Sequence, residues 1–183
     1  MSATVNETRT TTETVSHQSD ATSGRRAEAL ANRLEEGAAL LAAFAEGLSE
    51  EEWRTPVSAS DRRSLGVIVH HVASMYPLEI EAARAIARGQ AITDVTWEVV
   101  AEINSKHDRE QAEVTKADAL ELLRRNSHEA AAAVRTFTDE ELDRAAPFSL
   151  SFGAPMTAQF VIEDHPLRHS WHHLARLRKA VGR

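Results

Sequence analysis

The chain is 183 residues long, enough for one domain with a buried core, and carries 28 Asp and Glu against 21 Lys and Arg for a net charge of −7. That balance argues against a nucleic-acid partner, and the absence of cysteine removes disulfides, thiolate metal ligands and a Cys nucleophile. Gly and Pro are scarce while Ala, Glu, Arg and Leu abound, which favours an all-helical fold; no apolar run reaches membrane-span length and no signal-peptide core is visible, so a cytoplasmic location without a membrane partner is expected.

Residues 1–22, rich in Thr and Ser and nearly free of large apolar side chains, read as a disordered tail in which His17 has no role. The domain proper is 23–183. From Ser23 to Gly47 an apolar stripe of Leu30, Leu34, Leu40, Leu41 and Phe44 marks the first long helix. Ser49 followed by three glutamates is a capping box for a short turn ending near Trp53, and 54–63 is a polar loop. The second long helix starts at Ser64 and stops at Gly89. Its wheel buries Val67, Ile68, Met75 and Leu78 and puts His71 in the middle of the same stripe, with His70 well off it. Pro77 is expected to kink this helix or cost it one backbone bond. A core imidazole needs a partner, either a buried polar group or a metal.

A third helix is predicted over Trp97–Val114, with Trp97, Val100, Asn104, His107 and Gln111 on one face. That face begins apolar and turns polar. It either lines a pocket, which makes Asn104 and His107 candidate substrate contacts, or is a solvated helix end. The next helix opens at Thr115, buries Leu120, Leu123, Ala130 and Val134, and turns His128 to solvent. Thr138 to Glu141 is a second capping box. The last helix runs from Thr157 to Ala180 with Pro166 interrupting it. Four long helices with one apolar face each imply an all-α four-helix bundle.

Four of the nine histidines fall within Asp164–Arg178: His165, His169, His172 and His173. His169 and His173 are four apart, so a helix stacks them one turn above each other on one face, an arrangement suited to two imidazole ligands on one divalent ion. On the wheel His173 lies at the edge of the apolar face with His169 next to it, while His165 and His172 turn toward Arg168, Arg176 and Lys179 and are expected to be solvated. His165 and His173 are about 12 Å apart on a helix, too far to share an ion bound at about 2 Å. The pair is therefore His169 with His173, with His165 and His169 as the weaker variant. Ser170 stands where an HExxH motif would need its glutamate.

Three segments together resemble the DinB superfamily, which includes YfiT-like metal-binding proteins and the mycothiol- and bacillithiol-dependent transferases. They are Glu51-Glu-Trp53 followed by Ser64-Leu-Gly-Val-Ile-Val-His70-His71-Val-Ala; Ile103-Asn104; and His169-Ser-Trp-His172-His173-Leu-Ala. The resemblance aligns the first ligand with His71 and the others with His169 and His173. It implies a four-helix bundle with a long crossover connection, a homodimer in many members, and zinc or nickel on three histidines with open positions. It also favours transfer of a low-molecular-weight thiol, such as mycothiol, to an electrophilic small molecule. A glutamine often stands in the family where this chain has Arg176. A non-catalytic metal- or ligand-binding stress protein, or a hydrolase, isomerase or cyclase that uses the bundle cavity, would be built on the same residues. Deleting residues 1–22 is expected to leave the melting temperature and metal content unchanged; a loss of several degrees would show that the tail packs on the bundle.

Overall fold

The structure, a computed structural model, describes residues 24–183; the tail expected over 1–22 lies outside them. Its elements are α1 (Arg25–Glu46), α2 (Glu50–Arg54), α3 (Leu65–Ala87), α4 (Trp97–Glu110), α5 (Lys116–Val134) and α6 (Asp139–Asp143), then a hairpin of β1 (Ala145–Pro147) and β2 (Pro155–Thr157). The chain closes with α7 (Ala158–Ile162), a π-helical turn (Glu163–Leu167) and α8 (Arg168–Ala180). The capping signals hold: Ser49 and Thr138 each form a reciprocal capping box, and the hydroxyls of Ser64, Thr115 and Thr157 accept the first free N–H groups of α3, α5 and α7.

The bundle consists of α1, α3, α5 and the α7–α8 segment. α5 packs on both α1 and α3, and α8 returns to α1 while α7 lies on α3. The core between them is built from Leu34, Leu41, Leu65, Ile68, Leu123 and Leu174, all essentially buried. The connection from α3 to α5 is the long crossover, and α4 lies within it without burying a single residue. It ends at Glu110 rather than Val114, where a short turn precedes the Thr115 cap. The α4 entry is strapped to the hairpin: Ile92 N–H donates to Pro147 O (2.9 Å), Ser149 N–H to Ile92 O (2.8 Å), and the Ser149 hydroxyl to Val95 O (2.6 Å). Among the described residues, no helix is long and apolar enough to cross a membrane.

Two close fits set helix positions. A Cβ on Gly66 would lie 2.3 Å from the Trp53 ring, so α2 is seated against α3 through a contact only glycine permits, and the Trp53 indole N–H reaches Val114 O at 3.0 Å. Pro77 sits inside α3 and has no N–H to offer the carbonyl of Ala73. The buried Asn126 of α5 fills that role, its Nδ2 donating to Ala73 O at 2.9 Å. Two details depart from the wheel. Met75 is only half-buried, and Leu78 is 56 % exposed; both border a cavity rather than the core.

The loop before α3 is tied to α8 by Asp61, whose carboxylate accepts from Arg63 Nε and Nη2, each at 2.8 Å, and from Arg176 Nη2 at 2.8 Å. These guanidinium bonds, Arg63 first, hold the Asp61 pKa far below the ordinary carboxylate range. A carboxyl whose folded pKa is lowered stabilises the fold above its unfolded pKa of about 3.9, and that contribution fades as pH falls below it. Asp61→Asn is therefore expected to cost about 1–2 kcal/mol at pH 7 in urea unfolding, with the deficit closing below about pH 4. Asn126→Ala should cost about 1–3 kcal/mol by leaving Ala73 O unpaired, and clearly less in a Pro77→Ala background, where the restored N–H takes over. Equal costs in both backgrounds would show that Asn126 does not serve that carbonyl.

Candidate metal centre

His71 projects from the middle of α3, held there by the Val67–Ile68 stripe around it. His169 and His173 stand one turn apart on α8. One ring nitrogen from each lies within 4.8 Å of the other two, and Nε2 of His71 is 3.2 Å from Nε2 of His169. The ring centroids are 5.0 Å apart for His71 and His169, 5.6 Å for His71 and His173, and 4.9 Å for the pair on α8. A tetrahedral ion with bonds of about 2.0–2.1 Å needs ligand atoms about 3.3 Å apart, so the observed edge suits it.

The state of these rings also suits an ion. Burial, followed by the charge of His169, pushes the pKa of His71 down to about 3, and the same two causes push His173 down to about 2. Both rings are thus neutral near neutral pH, the form that coordinates metal. The Nδ1 atoms of His71 and His173 are buried without a hydrogen-bond partner. His169 has a neighbour: its Nδ1 lies 2.8 Å from Glu79 Oε1, close but short of hydrogen-bond alignment. A carboxylate against the far nitrogen of a ligating imidazole keeps the proton there and leaves Nε2 free to bind. Under this shell, Tyr76 and Ser170, both fully buried, join hydroxyls at 2.6 Å.

The three histidines form one end of a cavity of about 580 Å³. Its walls are mainly apolar, lined by Met75, Ile92, Val100, Ile103, Phe148 and Leu150. Arg63, Glu79, Asn104, His165 and Arg168 supply polar groups. Volume and lining match those of ordinary small-molecule sites.

Of the residues singled out in the sequence, His71, His169 and His173 come together, and Asn104 lines the cavity. His107 is not part of that lining. Its Nε2 meets His70 Nδ1 at 2.9 Å, and its ring lies edge-on to His71 at 5.4 Å, behind the cluster. His165 departs from the solvated placement: it is half-buried, lines the cavity and packs edge-on against Phe148 at 5.4 Å. The π turn explains this, because its extra residue per turn rotates His165 away from where a regular helix would put it. His172 is exposed, at the cavity rim. Arg176, in the place of the family's glutamine, binds Asp61. Glu79 escapes a reading of the sequence because its partner His169 lies on another helix, and Arg63 because it sits in a polar loop beside its partner Asp61 with no motif to mark it.

The family profile of the DinB superfamily matches residues 33–177. Among solved structures, YfiT from Bacillus subtilis, described as a probable metal-dependent hydrolase with an unusual four-helix bundle topology, aligns with a TM-score of 0.66 at 19 % identity, over 97 % of this chain and 95 % of that one. At that identity the likeness speaks for the fold. No curated protein matches in sequence. With the profile running from α1 to α8, the chain belongs to the DinB superfamily.

Proposed function

We propose that this protein is a metal-dependent enzyme acting on a small molecule, with His71, His169 and His173 holding a divalent ion. The carrying observation is that three converging imidazoles close one end of a largely apolar cavity. An all-nitrogen donor set fits zinc or nickel. When bound, such an ion supplies Lewis acidity, lowering the pKa of a small nucleophile and polarising a carbonyl.

The chain's own groups define what can react there. The apolar wall excludes water from the body of a bound molecule and sharpens electrostatic interactions beside the histidines. Glu79 Oε1, 2.8 Å from His169 Nδ1, favours the tautomer that leaves Nε2 free to bind. Asn104 offers an amide on the α4 side, while the Arg63 and Arg168 guanidinium groups that line the cavity are paired with Asp61 and Asp164. A cavity of this size and polarity favours one apolar-bodied substrate and a small nucleophile, so hydrolysis is the reading put first. It agrees with the description given to YfiT. Transfer of a low-molecular-weight thiol such as mycothiol is the second reading. It is supported by the resemblance and by the polar group of Arg63, Asn104, His165 and Arg168, which could receive a hydrophilic thiol.

Metal analysis is the first test. Wild type should carry one zinc or nickel per chain. His71→Ala, His169→Ala and His173→Ala should each lose it, whereas His165→Ala and His172→Ala should keep it. Esters, amides and lactones, and then thiols paired with an electrophilic dye, should be screened on the same preparations. The expected result is turnover in one of the two screens that chelation abolishes and zinc or nickel restores. Activity that survives complete metal removal would sink the proposal; metal binding with no turnover in either screen would leave a non-catalytic binding protein.

A further inference from the structure

Every Arg, Asp and Glu on the cavity wall is already engaged within the protein. Arg63 is bonded to Asp61 at 2.8 Å, Arg168 to Asp164 at 3.1 Å and Glu81 to Arg84 at 2.8 Å. The one acid left, Glu79, has one oxygen 2.8 Å from His169 Nδ1 and the other sealed from solvent. In the reading given above, an ion on that ring balances its charge. The polar groups that remain are uncharged. They are the Asn104 amide and the His165 ring, whose pKa burial lowers so that it is neutral at neutral pH. Leu78 and Trp97, each more than half exposed, continue the apolar lining out to the surface.

From this we infer that the cavity takes molecules that carry no charge, and turns away carboxylates, phosphate esters, sulfonates and ammonium compounds of the same shape. This deepens the proposed function by naming its substrate class, and rests on it for the cavity being the place where substrate binds. An ionised ligand must shed its water to enter an apolar space, at a cost that only a free opposite charge can offset. Here each opposite charge would first have to leave its own partner. A neutral ketone, ester, amide or alcohol leaves far less hydration behind, and the Asn104 amide, as donor and acceptor, suits any of them. The preference thus extends from the apolar body to the polar substituents of the substrate.

Displacement of N-phenyl-1-naphthylamine, an uncharged dye that brightens in apolar surroundings, tests this with and without zinc. The competitors share a naphthalene body: 2-acetylnaphthalene is neutral, 2-naphthalenesulfonate an anion and 2-naphthyltrimethylammonium a cation. With zinc present, the ketone should displace the dye at concentrations about tenfold or more below those of either ion. Its lead over the sulfonate should persist after chelation, because the metal is not what rejects the anion. Val100→Lys places an unpaired positive charge on the cavity wall, on a helix that buries no residue, so the bundle stays folded. In that variant the sulfonate should gain about tenfold while the ketone weakens. If zinc does not bind while the ketone still leads the sulfonate and Val100→Lys still favours it, the metal reading fails and this inference stands. If either ion binds wild type with zinc as well as the ketone does, if the dye does not bind, or if Val100→Lys leaves the sulfonate unmoved, the inference is overturned.

Discussion

The hydrogen bond between Tyr76 and Ser170 joins two hydroxyls that are fully buried and 94 residues apart in the chain. In that position neither can find water, so sliding one helix past the other would leave both unpaired. The bond therefore fixes the axial register of α3 against α8. Ser170 directly follows His169, and Tyr76 lies a little more than one turn beyond His71. A displacement of one helical turn, about 5.4 Å, would carry the histidines past one another. The convergence of three imidazoles thus depends on a contact that includes none of them.

α3 has to present a histidine while it accommodates a proline, and the two demands are met from opposite sides. Asn126 on α5 satisfies the carbonyl that Pro77 frees, and Glu79, two residues beyond the proline, turns toward His169. α3 is consequently braced on its core side by a neighbouring amide and on its cavity side by a carboxylate–imidazole contact. Such supporting shells hold ligating side chains in the narrow range of orientations that chemistry needs.

Much of this was legible in the sequence, because local rules governed it. The caps at Ser49, Ser64 and Thr138, the four apolar stripes and the i, i+4 spacing of His169 and His173 all follow from helix geometry alone. The wheel also placed His71 within a buried face, where it lies. The departures have separate causes. A wheel turns His165 toward solvent because it assumes one residue every 100°, and the π turn at Glu163–Leu167 breaks that assumption. Periodicity assigns Leu78 and Met75 to the core because it cannot tell a face against another helix from a face against a cavity. Glu79 is invisible to the sequence because its partner is 90 residues away, and so is the link from Asp61 to α8, made through Arg176 115 residues away. Fold likeness cannot supply what these details decide, since one bundle hosts many reactions.

α4 contributes Trp97, Val100, Ile103 and Asn104 to the cavity, yet none of its residues is buried. Where a residue that shapes a binding site also carries part of the core, each change of specificity is taxed by a loss of stability. Here the two roles fall on different segments. The bundle carries the cooperative stability and the histidines, while one wall of the cavity is set by a helix whose substitutions leave the core packing untouched. Such a division lets descendants of one scaffold exchange that wall, and with it the molecules they accept, by many single steps that each leave the chain folded.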